Sequence, residues 1–456
     1  MKINSLDNVI INLDNGHKVA DKDIKKGESI IKYGFPIGLA TEDIKKGDHV
    51  HSHNLRTGLK DHLEYEYNPA FNEIIKANDN RTFMGYVRKN GDIGIRNEVW
   101  IINTVGCVNK TAQRLSELTG AMYFPHPFGC SQLGDDHKLT QTILKGLVNH
   151  PNAAAVLVLG LGCENNHIGE FKKVLGVYDD KRVKFLNAQD SLDEIADGVK
   201  IINQLQEYAA TFKRTPVSVS KLKLGLKCGG SDGFSGITAN PLVGRVSDQL
   251  ISYGGSCVLT EVPEMFGAEQ ILMDRCESKE VFDKTVRLIN DFKDYFIQHN
   301  QVIYENPSPG NKEGGITTLE EKSLGYTQKG GRSIVTDVLD YGDVVSKKGL
   351  SLLNGPGNDI VAITNLAAAG VHLVLFTTGR GTPVGGPVPT IKISTNKELA
   401  RRKSNWIDFD ASLVLEGSPL IDELFDYIIE VANGTQTKNE INGYREISIF
   451  KDGVIL

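Results

Sequence analysis

The 456 residues carry 51 basic and 57 acidic side chains for a formal charge of -6, and no basic block stands out. Nucleic acid is thereby excluded as the main partner, and small ligands are expected. The amino terminus has no apolar signal core, and the longest apolar run, Ala153 to Gly162, is far too short to span a bilayer, so the expectation is a cytosolic protein with no membrane partner.

A chain of this length exceeds what one core supports, which predicts two or three domains. Six cysteines outside any secretory context read as free thiols or ligands rather than as a disulfide framework.

Residues 1–63 have short strand-like pieces, such as Ile10 to Leu13 and Ser29 to Gly34, broken by Asp-Asn-Gly and Lys-Lys-Gly turns, which predicts a small β-rich domain. Ala20 to Gly27 and Ala40 to Gly47 echo each other around a shared Asp-Ile-Lys-Lys-Gly. The second copy runs into His49, His51 and His53. On a strand these three share a face with neighbouring Cα atoms about 6.5–7 Å apart, so two adjacent ones suit one metal ion and all three would need a bend. Residues 64–81 are polar and rich in asparagine, which reads as a flexible linker.

From 82 to 216 the rhythm changes. Near-continuous apolar strands at Glu98 to Thr104, Ala153 to Leu159 and Val183 to Leu186 alternate with helical periods at Lys138 to Val148, Phe171 to Tyr178 and Leu192 to Phe212, the pattern of an α/β domain on a parallel sheet. Ligands in such sheets sit at the carboxyl ends of strands. Those ends carry Cys107, Cys130 with His137, and Cys163 with Glu164. Gly160-x-Gly162 lacks the third glycine of a dinucleotide fingerprint, because Asn165 stands there, and a nicotinamide site is rejected.

Residues 217–456 read as a second α/β domain. A strand at Lys221 to Leu226 runs into Lys227-Cys-Gly-Gly-Ser-Asp-Gly-Phe-Ser-Gly236, four glycines interleaved with a thiol, a carboxylate, two hydroxyls and an ammonium. Asn240-Pro241 reads as an N-cap opening the next helix. A glycine-rich strand-to-helix loop suits an anion, so Gly229, Gly230, Ser231 and Ser235 are expected to bind substrate, with Lys227 and Asp232 as reactive groups. Lying outside any periodic apolar segment, Lys227 and Asp232 are expected to be replaceable without unfolding. A glycine- and proline-rich stretch from Asn306 to Gly331 predicts a long functional loop. The buried strand Val371 to Thr378 leads to Arg380, whose planar fork suits a carboxylate.

His51-Ser-His-Asn54, Gly129-Cys-Ser-Gln-Leu133, Gly162-Cys-Glu164, Lys227 to Gly236, Glu261-Val-Pro-Glu264 and Thr377 to Pro383 together resemble the altronate/galactarate dehydratase family over the length of the chain. Sulfolactate sulfo-lyases are similar too, with the small domain as a separate subunit. The resemblance implies an N-terminal SAF-type domain and a metal-dependent lyase. Such an enzyme removes water from a sugar acid to give a 2-keto-3-deoxy acid, and the His-x-His-Asn form favours the altronate branch over the galactarate branch.

Dehydration takes a weakly acidic proton α to a carboxylate and expels hydroxide from the β-carbon, so the enediolate needs electrostatic stabilisation. Imidazole and oxygen ligands suit Fe²⁺ or Mn²⁺. Cys130, Cys163 and Cys228 offer an iron–sulfur cluster as the second choice, there being no C-x-x-C spacing. Base candidates are His137, Lys227 and Glu264. A sugar-acid sensor is the non-enzyme alternative, and a homo-oligomer is expected.

Overall fold

The computed structural model describes residues 1–59, 64–71 and 74–453. The expected end of the first domain at 63 lies outside the described residues, as do 72 and 73 of the expected linker. The architecture is a small β-rich domain followed by two α/β domains with parallel sheets. Among the described residues no helix is long and apolar enough to cross a membrane.

The first domain holds two three-stranded antiparallel sheets, Val9–Ile11 with Lys18–Ala20 and His49–Val50, and Ser29–Lys32 with Phe35–Ala40 and Leu55–Arg56. The sequence echo is its organising device. Ile24 and Ile44 pair across a β-bridge, the ammonium of Lys25 binds Asp43 while that of Lys45 binds Asp23, and each aspartate also accepts an amide from the opposite copy. The two copies therefore cross-brace each other. Exposed pairs of this kind add little energy singly; the buried isoleucines between them supply the core.

This domain folds back over the C-terminal body. Lys18 and Lys32, both fully buried, reach the two oxygens of Glu321 at 2.8 and 2.7 Å. Thr57 and the Gly58 amide bind Glu320. Burial works to raise the Glu321 pKa, but the two ammonium groups outweigh it and hold the carboxylate down at about 2. Because that folded value lies below the ordinary 4.5, the docking energy is complete above that pH and is lost as pH falls toward 2. Small-angle scattering should thus show the small domain swinging free in that acid window, and a compact profile persisting at pH 2 would contradict the assignment.

The described residues of 64–81 are a strap rather than a free linker. The Tyr65 hydroxyl binds Glu269, that of Tyr67 binds the Cys276 carbonyl, and the Ala70 and Ala77 amides bind the carbonyls of Asp274 and Ser252. The segment is polar because its backbone and tyrosines find partners along the C-terminal domain.

The second domain's four-stranded sheet runs Met122–Phe124, Glu98–Asn103, Ala153–Gly160, Val183–Asn187, all parallel. All of Ala153–Gly160 is buried, as expected for a strand covered on both faces. The third domain's seven parallel strands run Val335–Leu339, Gly349–Leu353, Ser256–Leu259, Lys223–Cys228, Leu373–Thr378, Thr390–Ser394, Phe409–Asp410. The strand order reverses between Lys223–Cys228 and Leu373–Thr378, and such a reversal opens a crevice at the carboxyl ends.

Two local expectations fail. Asn240 is not an N-cap: the helix is Ala239–Ser252, and the Asn240 side chain instead ties the Gly325 carbonyl to the Thr377 hydroxyl. The 306–331 stretch is not an irregular loop, since it forms the helices Pro309–Glu313 and Leu319–Thr327. Burial of Leu319, Leu324 and Tyr326 overrides its turn-rich composition.

Candidate active site

A cleft of about 760 Å³ opens at the carboxyl ends of the third domain's strands, walled by Cys228, Gly229, Gly230, Ser231, Glu264, Asn306, Lys322 and Asp359 among others. Another cavity of about 560 Å³, beside Arg88, Arg182 and Tyr208, sits at the opposite, amino-terminal end of the second domain's strands, away from this chemistry.

Lys227 is the penultimate residue of its strand and is wholly buried. Its ammonium donates to Glu261 Oε1 and Asp359 Oδ1, each at 2.6 Å, and to the Cys228 carbonyl at 2.5 Å. Burial works against the charge, yet Glu261 and Asp359 outweigh it and raise the pKa above the usual lysine range. Lys227 is therefore a standing cation rather than the base that the sequence suggested, and it does not belong to a loop. Glu261 holds the arrangement from a left-handed backbone, φ 61° and ψ 59°, a conformation that costs a non-glycine residue energy, with Oε2 accepting the Cys228 amide at 3.0 Å.

Glu264 presents a different face. Its Oε1 accepts from Lys322 Nζ at 2.8 Å and Asn306 Nδ2 at 2.9 Å, while its buried Oε2 has no partner among the described residues. Lys322 also donates to Asn306 and Asn311. Burial opposes its charge, but Glu264 more than compensates and the pKa is raised. A carboxylate oxygen with no protein partner, at the wall of a cleft and beside a fixed ammonium, is equipped to take a proton. Nearby Lys329 is buried with no hydrogen-bond partner for Nζ among the described residues, and Nζ lies 3.8 Å from the Tyr326 ring centroid; burial lowers its pKa.

The glycine loop is held mostly by itself. The amides of Gly229, Asp232, Gly233, Phe234 and Ser235 donate to protein oxygens, so five of the eight amides from 229 to 236 are not free to cradle an anion. Gly230 needs its positive φ of 63°, whereas Gly233 is required by space, since a Cβ there would fall 2.0 Å from the Gly16 carbonyl oxygen. Asp232 is buried and accepts from Phe234 N, Ser235 Oγ, Thr395 Oγ1 and Asn396 Nδ2. Its carboxylate pins the loop and does not line the cleft, so the expectation that it is replaceable without structural cost fails. Ser231 lines the cleft and offers its carbonyl to Asn311.

The other expected site residues are dispersed. Arg380 is half exposed, with one arm of its fork paired with the exposed Glu313 at 2.8 Å. His137 sits on the helix Gly134–Asn149 of the second domain, where burial lowers its pKa against the pull of Glu170, and it does not line the cleft. Cys228 is buried in the third domain, while Cys130 and Cys163 are exposed on the second, so the proposed trio of thiols is split between two sheets.

The strand carrying the histidines ends at Val50, and 51–53 turn. The bend brings His49, His51 and His53 together with His17, which the sequence reading missed. Neighbouring ring centroids are 5.2–5.7 Å apart, and His17 Nδ1 lies 3.1 Å from His49 Nε2, near the spacing of two imidazoles on one ion with bonds of about 2.1 Å. Among the described residues no three such ligands converge on one point as they stand. His51 Nε2 donates instead to the Lys312 carbonyl at 2.8 Å, one residue from Asn311 of the cleft. Burial lowers the pKa of both His49 and His51, which favours the neutral, ligating form. His17 was illegible because only the antiparallel register of Val19 against His49 brings it there.

Three family models tile the chain: the altronate/galactarate dehydratase SAF domain over residues 1–58, the D-galactarate dehydratase/altronate hydrolase second domain over 85–210, and the D-galactarate/altronate dehydratase C-terminal domain over 219–455. The chain is 54% identical over 455 residues to altronate dehydratase of Escherichia coli K12 and 55% identical over 456 residues to altronate dehydratase of Bacillus subtilis 168, covering 97% of this chain and 92% of each relative. It is 31% identical over 464 residues to the galactarate dehydratase (L-threo-forming) of E. coli K12, covering 93% and 87%. With models and relatives agreeing from end to end, the chain belongs to the altronate/galactarate dehydratase family and is a dehydratase of the hydro-lyase class.

Proposed function

We propose that this dehydratase acts on altronate, removing the C2 proton and the C3 hydroxyl to give an enol that ketonises to the 2-keto-3-deoxy acid. The observation that carries the reading is Glu264, whose unpartnered Oε2 stands at the cleft wall beside the Lys322 ammonium. Glu264 takes the C2 proton, and the C3 hydroxyl departs with a proton as water. The cation of Lys322 stabilises the negative charge that develops on the substrate carboxylate, while Lys227, behind the cleft wall, holds Glu261 and Asp359 in place. Ser231 and the free amides of its loop orient that carboxylate. The altronate preference is supported by the 54–55% identity to altronate dehydratases against 31% to a galactarate dehydratase.

The imidazoles are suited to Fe²⁺ or Mn²⁺, with His17 and His49 as the nearest pair and His51 and His53 packed beside His49. A bound ion there would supply Lewis acidity toward hydroxyl and carboxylate oxygens.

Incubation with altronate and, separately, galactarate, each with Fe²⁺ or Mn²⁺, should give a 2-keto acid from altronate at the higher kcat/KM. Preference for galactarate would move the enzyme to the other branch, and no keto product from either acid would overturn the substrate class. In the same assay the double variant His51→Ala, His53→Ala should bind less metal and lose activity most steeply at limiting Fe²⁺. Metal content and rate both unchanged would return the imidazoles to a solvated turn.

A further inference from the structure

The six cysteines divide by place. Cys228, Cys257 and Cys276 are buried in the third domain, whereas Cys107, Cys130 and Cys163 are all exposed. The exposed three stand at the same end of three adjacent strands of the second domain's sheet, Met122–Phe124, Glu98–Asn103 and Ala153–Gly160, beyond the point where the strand order reverses around Glu98–Asn103. Each follows a glycine, in Gly106-Cys107, Gly129-Cys130 and Gly162-Cys163.

The loops that carry them are built as one piece. The Gly106 amide donates to the Phe128 carbonyl at 2.9 Å, and the Asn166 amide to the Gly129 carbonyl at 3.0 Å. The Asn166 side chain reaches the Thr104 carbonyl, and the Ser131 amide reaches Asn165 Oδ1. A Cβ at Gly129 would meet the Thr104 carbonyl oxygen at 2.0 Å, so glycine is the price of bringing these turns together. Each thiol precedes the amino terminus of a helix, Asn109–Thr119, Gly134–Asn149 or Ile168–Leu175, a polarity that favours anionic sulfur.

Two side-chain amide donors stand at this end, and the second is the one that calls for a ligand. Gln189 Nε2 donates to Cys163 Sγ at 3.4 Å. Gln132, 3% exposed and in the Cys130 turn, has an Nε2 with no acceptor among the described residues. A buried amide donor left idle in the turn that carries Cys130 is costly unless something accepts from it. The dehydration requires no thiol nucleophile, and the three cysteines are free rather than paired. They do not converge on a single ion, but a multi-iron cluster spaces its thiolates more widely than one ion does and is tuned by hydrogen bonds to its sulfurs.

We infer that Cys107, Cys130 and Cys163 bind an iron–sulfur cluster of the four-iron type at the carboxyl end of the second domain's sheet, leaving one iron without a protein ligand. This replaces Cys228 of the sequence reading by Cys107, and it is independent of the roles given to Glu264 and the histidines.

Full-length protein purified without oxygen, and reconstituted with iron and sulfide, should carry about four iron and four acid-labile sulfide per chain with broad visible absorption. Each of Cys107→Ser, Cys130→Ser and Cys163→Ser should lose most of the sulfide and the absorption while keeping the far-ultraviolet circular dichroism of the parent. Cys228→Ser and the His51→Ala, His53→Ala variant should keep both. Absence of labile sulfide from the parent protein, iron or zinc bound without sulfide, or sulfide retained by the triple serine variant would each overturn the inference. Loss of activity in the histidine variant with sulfide intact would leave it standing.

Discussion

Replacing Glu264 by glutamine is expected to lower kcat by about 10²–10⁴-fold, the range that a positioned proton acceptor contributes, with KM changed far less. The amide can keep its oxygen on Lys322 and Asn306, where Oε1 now accepts two hydrogen bonds, so the wall of the cleft keeps its shape. What it loses is the unpartnered Oε2 and its affinity for a proton. Steady-state kinetics with altronate, paired with exchange of the C2 hydrogen into solvent, tests this directly, since both should fall together. A Glu264→Gln enzyme within about tenfold of the parent would remove Glu264 from proton transfer and move attention to Lys329.

Replacing Lys227 by methionine should abolish activity and also destabilise the protein. The side chain neutralises Glu261 and Asp359 from a position with no solvent access, and removing one partner of such a buried pair typically costs about 3–5 kcal/mol. The double variant Lys227→Met, Glu261→Gln should recover part of that stability, because the buried charge left behind is gone, without recovering turnover. Denaturant or thermal midpoints separate the two effects. A single variant as stable as the parent would mean that the pair is not coupled in solution, whereas an active one would take Lys227 out of the site altogether.

The comparison between Lys227 and Asp232 shows where sequence is a good guide and where it is not. Both lie in a glycine-rich segment that composition marks as a loop, and the segment does line the cleft. Yet Lys227 is strand and Asp232 is the pin of its turn, because pairing with Leu373–Thr378 extends the sheet to Cys228 and Thr395 and Asn396 arrive from a distant segment. The buried strands were legible from apolar runs, since a parallel sheet covered on both faces leaves no alternation to misread. Lys322, Asn306 and His17 were not, because nothing local distinguishes them. Lys322 reaches its site on a helix hidden in glycine-rich composition, Asn306 from the irregular segment before Pro309–Glu313, and His17 through strand register.

The helix Leu319–Thr327 places Glu320, Glu321 and Lys322 in succession. The two glutamates grip the small domain, and the lysine grips Glu264 in the cleft. One rigid turn therefore answers to both, and the small domain cannot shift without disturbing Lys322. Thermodynamic reciprocity follows: whatever factor domain docking contributes to substrate affinity, substrate returns to docking. The small domain is thus a reporter of occupancy, and proteolytic protection of residues 1–58 should rise with substrate concentration along the same curve as binding.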